Sequence, residues 1–116
     1  MKNEEYDREL YNEILVDCKD EGEQNMSWYY YAQDKLRFPF SAYIELSKRE
    51  GGKILKKVNV IGLSSDDTDF NRGFELEVEV ELDDYIIEVP TAKLIDIEAN
   101  ETTIKTIKIW KYWIRE

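Results

Sequence analysis

Two groups of carboxylates are the residues of this chain best suited to chemistry. The first is DCKDEGE, residues 17–23, which sets Asp17, Asp20, Glu21 and Glu23 within one short junction, with Asp34 farther along. The second is SSDDTDFNRG, residues 64–73, in which Asp67, Asp69 and Asn71 alternate before Gly73 and Asp66 adjoins them. Alternating Asp and Asn ahead of a glycine is a spacing that lets oxygens curl around one ion, as calcium loops do. A true EF-hand is rejected, because its glycine and its bidentate glutamate would fall on Arg72 and Val78. Taken alone, each group also fits a solvated acidic loop, and both readings stay open at this point.

Carboxylates are hard ligands, and calcium suits them: it takes about six to eight oxygens and tolerates irregular geometry, whereas magnesium demands a stricter octahedron. The chain has no histidine, so it lacks the commonest proton shuttle at neutral pH and the commonest transition-metal ligand. Cys18 stands among acids that disfavour a thiolate, and Ser64 and Ser65 have neither a GxSxG context nor a histidine base. The residues therefore point away from an enzyme. A hydrolase built on paired carboxylates is the remaining catalytic alternative, and the sequence nominates no substrate for it.

Charge narrows the partners. The net charge is -10, and it is unevenly placed: residues 1–34 carry -7 and residues 65–89 carry -9, while 35–64 carry +5 and 90–116 carry +1. An acidic surface repels phosphate and gains nothing from counterion release, so nucleic acid is excluded as a partner. No window approaches the roughly 18 apolar residues of a membrane-spanning helix, which argues against a membrane role. A single cysteine, and acids where a secretory signal needs an apolar stretch, predict a cytoplasmic protein in a reducing compartment. With 116 residues, 42% hydrophobic and 13% aromatic, the chain is of a size and composition for one folded domain.

The elements that must position these acids are legible in the periodicity. Tyr6, Leu10, Ile14 and Cys18 recur every four residues and predict an amphipathic helix from about Glu4 to Val16. A second helix opens near Asp20 and Glu21, where acids complement the helix dipole, and runs through Met26, Tyr29, Gln33 and Leu36 until Pro39 stops it. The period then becomes two. Strands are predicted over Ala42–Leu46, over Leu55–Leu63 beyond a Glu50-Gly51-Gly52 turn, over Phe74–Leu82, over Tyr85–Val89 and over Leu94–Ile97. Asp83-Asp84 makes a hairpin of the third and fourth strands, and Thr91–Leu94 is a tight turn before the fifth. Asn100 caps a terminal helix carrying Thr103, Ile107, Trp110 and Ile114. The predicted class is α+β: a small SH3-like antiparallel β-barrel of about five strands, with two N-terminal helices and one C-terminal helix.

Other constellations are assigned to structure. Trp28, Tyr29, Tyr30, Phe38 and Phe40 are read as core and helix-to-sheet packing rather than as a stacking platform for bases. Trp110, Tyr112 and Trp113 receive the same reading. Glu75, Glu77, Glu79 and Glu81 project along a line and do not converge, so they are expected to form a solvated face paired to Lys53, Lys56 or Lys57. Cys18 is expected to be partly buried.

The run ILVDCKDEGEQNMSWYYYAQDKLRFPFSA, residues 14–42, resembles the core motif of the small acidic calcium-binding proteins first described in cyanobacteria, the CcbP-like family. VNVIGLSSDD, the alternating acidic strand, IIEVPTAKL and IKIWKYWI follow in the family's order, so the resemblance covers the chain from about Glu13 onward. It implies that residues 1–116 are a single calcium-binding domain that buffers or senses Ca2+ in calcium signalling, with no catalytic step. It also implies ligands among the acids near the motif, Asp17, Glu21, Glu23 and Asp34, whereas Asp20, Asp66, Asp67 and Asp69 are nominated by local chemistry alone. The chain departs from the family pattern at Gly22, where more acid is usual, at Ser27, where Gly is usual, and at Lys111, where His is common. The competing reading from another class is an interaction module that binds a basic or proline-rich peptide on the barrel.

Overall fold

The computed structural model describes residues 2–64 and 74–114. Helix α1 spans Glu4–Glu9, and the Asn3 side chain caps it by accepting the Tyr6 N–H. The chain then widens into a single π turn over Leu10–Ile14, closed by a 2.6 Å bond from the Leu15 N–H to the Leu10 carbonyl. A turn wider by one residue brings positions five apart onto one face, and here Leu10, Ile14 and Leu15 are all buried while Tyr11 is exposed. The expected first helix is therefore present but shorter, and Cys18, half-buried, lies beyond it in the junction.

Helix α2 spans Glu21–Lys35, opening on Asp20 as anticipated and ending where Leu36 turns extended ahead of Pro39. Strands follow at Phe40–Ser47 (β1), Lys53–Leu63 (β2), Glu77–Leu82 (β3), Tyr85–Pro90 (β4) and Ile95–Glu98 (β5), and helix α3 closes the chain at Glu101–Ile114. Gly51 and Gly52 take φ of 94° and 83° in the β1–β2 turn, a region that favours residues without a Cβ. Asp83 sits at φ 56° in the two-residue turn that pairs Leu82 with Tyr85, which confirms the hairpin. Asp tolerates this left-handed region because its short side chain bonds locally. A 3-10 turn, Thr91–Lys93, separates β4 from β5.

All pairings are antiparallel, in the order β4-β3-β2-β1-β5. The expected barrel is corrected at this point: β4 and β5 are the two edges of an open sheet. The turn after β4 carries the chain across to β1, but β5 is only four residues long and pairs with β1 alone. The third strand is also shorter than its pattern suggested. Phe74–Leu76 precede it as irregular chain, with Leu76 buried and its carbonyl accepting the Thr91 N–H.

One face of the sheet is covered. Phe40, Ala42, Ile44, Val58, Val60, Val78 and Val80 are buried against Trp28, Ala32 and Leu36 from α2 and its end, and Ile107, Ile109 and Trp110 from α3. Trp28 meets Trp110 edge to face at 5.0 Å and Tyr31 at 6.0 Å, with Phe74 on the far side of Trp110 at 6.2 Å. The aromatic residues thus serve as core, with one correction: Tyr30 is 57% exposed, because it follows Tyr29 around the helix onto the solvent side. Buried threonines join the helices. Thr103 Oγ1 accepts the Arg37 N–H at 3.0 Å, and its own N–H is capped by Asn100 Oδ1 at 2.8 Å. Lys111 donates to the Leu94 carbonyl, tying α3 to the residue before β5.

Since Trp28 is fully buried at the meeting of two helices, Trp28→Ala should destabilise the fold by about 3–5 kcal/mol, as large-to-small core substitutions do. The midpoint of urea unfolding, followed by far-UV circular dichroism, checks it.

Candidate metal site and the family of the chain

The junction between the π turn and α2 gathers the first acid group. The chain leaves the π turn through Asp17 at φ 60°, the kind of left-handed position that ends a helical segment. The Asp20 Oδ1 accepts the Glu23 N–H at 2.8 Å, the usual N-cap bond. Glu23 reaches back in turn, its Oε2 accepting the Lys19 N–H at 2.6 Å, a near relative of the capping box. The Cys18 thiol lies 3.6 Å from the Glu23 carbonyl. Ser27 donates its hydroxyl to the Ile14 carbonyl and fastens α2 to the π turn.

These bonds occupy one oxygen each on Asp20 and Glu23. The other carboxylate oxygens of those residues, and both oxygens of Asp17 and Glu21, form no ion pair among the described residues. Among the described residues the ion pairs are made elsewhere, by five of the lysines: Lys35 with Asp34, Lys53 with Glu45, Lys56 with Asp83, Lys57 with Glu98, and Lys105 with Glu5 and Glu9. The donors therefore suit a hard cation in kind and in charge. They do not converge as a preformed cage, because among the described residues no three acids or thiols stand in metal-holding geometry.

Asp34 is placed apart from the junction. It lies in the last turn of α2, fourteen residues beyond Asp20, or about 21 Å at the helical rise per residue, with its carboxylate exposed beside Lys35 at 3.7 Å. Asp66, Asp67 and Asp69 lie outside the described residues.

A feature the sequence reading did not single out is the carboxylate set around Tyr31. Its hydroxyl donates to Glu9 Oε2 at 2.7 Å, and burial first, then the neighbouring charges of Glu9, Glu13 and Asp34, hold the phenol well above its ordinary ionisation range. The π turn and the end of α1 bring Glu9 and Glu13 to that side, a placement that periodicity alone does not give.

Of the strand glutamates, Glu75 and Glu81 are exposed as expected while Glu77 and Glu79 are half-buried, and their predicted lysine partners are not theirs. Lys53, Lys56 and Lys57 lie at the end of β2 that faces β1, whereas β3 pairs with β2 from Asn59 onward. Glu81 accepts from Asn59 Nδ2 at 3.4 Å, Glu88 on β4 accepts the Ser64 hydroxyl, and Glu79 faces Glu88 directly. Burial, followed by the charges of Glu88 and Glu75, raises the Glu77 carboxyl above its usual value.

The CcbP calcium-binding family profile matches residues 8–114. No curated protein matches the chain in sequence. Among solved structures, the Anabaena CcbP crystal structure superposes with a TM-score of 0.83 at 29% identity, covering 98% of this chain and 92% of the other. A calcium-binding protein in its calcium-binding form superposes with a TM-score of 0.78 at 30% identity, with the same coverages.

Two substitutions test the local chemistry. Asp20→Ala removes the acceptor of the Glu23 N–H and should cost about 1 kcal/mol in the absence of any metal, read from the denaturation midpoint. For Glu77, a folded-state value above the unfolded one contributes stability that is fully present below the unfolded value and is lost as pH rises through the folded one. Ionised Glu77 therefore opposes folding near neutrality, and Glu77→Gln should raise Tm at pH about 7 while leaving it unchanged at pH about 3. Differential scanning calorimetry at the two pH values checks this.

With the profile spanning nearly the whole length and the fold shared with two solved relatives, the chain belongs to the CcbP family of calcium-binding proteins.

Proposed function

We propose that this protein binds Ca2+ without catalysing a reaction, and that the junction acids Asp17, Asp20, Glu21 and Glu23 take part in holding the ion. One observation carries the reading: four carboxylates crowd one junction, and among the described residues every ion pair is made elsewhere. Such crowding is repulsive in the metal-free state, and a doubly charged hard ion reverses its sign. Two of the oxygens are held on backbone N–H groups, that of Glu23 in the first turn of α2 and that of Lys19 just before the N-cap, so ion binding competes with these bonds or uses the oxygens they leave over. The positive end of the helix dipole further opposes a cation at that spot. Both effects favour moderate affinity and an ion-dependent change in the first turn of α2, which suits a sensor or buffer that must release its ion. Asp66, Asp67 and Asp69 are proposed as a second group of ligands on their local spacing, and Asp34 on the family resemblance. A cytoplasmic location is proposed on the single free cysteine.

Thermal unfolding in calcium, in magnesium and in chelator tests the reading. Binding to the folded state alone stabilises it by RT ln(1 + [L]/Kd), about 2.7 kcal/mol at a hundredfold excess over Kd. A rise in Tm selective for calcium is expected, and Asp17→Asn with Glu21→Gln should weaken calorimetrically measured calcium affinity by at least about tenfold, or about 1.4 kcal/mol. An unchanged Tm at millimolar calcium overturns the proposal.

A further inference from the structure

The β3–β4 hairpin, residues 77–90, holds six acids, Glu77, Glu79, Glu81, Asp83, Asp84 and Glu88, and no Lys or Arg. Among the described residues only Asp83 has a cation beside it, Lys56 at 3.4 Å. The same hairpin ends the sheet, since β4 pairs with β3 on one side and with no described strand on the other. An edge strand offers a row of main-chain donors and acceptors to any second chain, and proteins usually blunt such edges with lysines, bulges or a covering element. β4 has Glu88 as its one charge and Pro90 at its last position but no lysine, and its pairing with β3 runs without a register break from Glu77 opposite Pro90 to Leu82 opposite Tyr85. Its side chains are also apolar and open to solvent: Tyr85 is 74% exposed, Ile86 60% and Ile87 36%.

The register divides this edge into two faces. Val80 stands opposite Ile87 and Val78 opposite Val89 on the face that the helices cover farther in. There Ile87 and Val89 border a cleft of about 400 Å³ that Ile44, Leu46 and Ile95 also line, together with the charged Glu45 and Lys93. On the other face Glu79 stands opposite Glu88 and Glu81 opposite Ile86. Burial first, and then the negative charges of Glu88 and Glu75, raise the Glu77 carboxyl on this side.

We propose that the β4 edge takes up an extended segment of a partner protein as a sixth strand, and that this segment alternates apolar with basic residues. Main-chain pairing supplies the docking, and side chains of period two sort themselves between the two faces. Apolar residues of the incoming strand enter the cleft beside Ile87 and Val89, and basic ones meet Glu79 and Glu88. A second copy of this chain is a poor occupant, because it would set another hairpin of six acids against this one. The surface is separate from the α2 junction, so the proposal does not rest on calcium binding.

The probe is a synthetic peptide of alternating lysine and valine, about eight residues long to match a typical strand, titrated in chelator into the isotope-labelled full chain. Saturable chemical-shift changes concentrated on Tyr85–Pro90, with slowed amide exchange along that strand, are the expected result. Affinity should fall by at least about tenfold in the Glu79→Gln, Glu88→Gln double variant, and should weaken with added salt in the parent. Ile87→Lys, which places a charge on the edge, should abolish the interaction, and circular dichroism shows whether that variant is folded. If it is not, the glutamine double variant carries the test. The proposal is overturned by no binding at millimolar peptide or by equal binding of an alternating glutamate–valine peptide. It is equally overturned by shifts confined to another surface, or by self-association through β4 in sedimentation without peptide.

Discussion

Trp28 and Trp110 meet edge to face over the covered side of the sheet, and the rest of the structure depends on that contact. The indole of α2 and the indole of α3 are both buried, so each helix has its rotation about its own axis fixed by the need to bury one large ring against the other. With α2 held in this way, its N-terminus falls beside the π turn, where Ser27 bonds the Ile14 carbonyl. The acid junction is therefore the outer rim of a rigid aromatic centre. It is not a free loop: its backbone is set by Asp17 in a left-handed conformation and by the reciprocal bonds of Asp20 and Glu23.

A second constraint is the excess of negative charge. Exposed ion pairs contribute about 0–1 kcal/mol each, so the lysine pairs along β1, β2 and α3 do little for stability by themselves. Their consequence is distribution. By engaging four lysines with Glu45, Asp83, Glu98, Glu5 and Glu9, the fold leaves the junction acids and most of the β3–β4 hairpin without an ion pair among the described residues. The two surfaces differ in what they can hold. The junction offers clustered carboxylate oxygens near backbone donors, which suits a small hard cation. The hairpin offers a line of carboxylates beside exposed isoleucines and an open strand edge, which suits an extended chain.

Three small local choices shape this setting. Ser27 tethers α2 to the π turn, and Lys111 holds α3 to Leu94. Gly22 stands between Glu21 and Glu23 in the first turn of α2 and brings no carboxylate of its own.

Much of the architecture follows from local chemistry that any segment carries with it. Asp20 and Asn100 cap their helices, Pro39 closes the second one, Gly51-Gly52 turns the first hairpin, and the strict alternation from Leu76 to Leu82 names the buried face of β3. The acids of the junction are equally local, since they lie within seven consecutive residues, and the family resemblance rests on motifs that can be read in a line. Other features depend on residues far apart in the chain. The open sheet instead of a closed barrel depends on β5 pairing with β1 alone. The lysine partners depend on which ends of β1, β2 and β3 overlap, and Tyr30 faces water because Trp28 and Tyr29 already fill the inner side of α2. Asp34 is carried to the opposite end of α2 from Asp20 by the helical rise, so nearness in the motif is not nearness in space. Periodicity and capping are set by neighbours within a few residues and are therefore written in the sequence. Register, edge exposure and charge pairing are set by contacts between distant segments, and they exist only once the chain has folded.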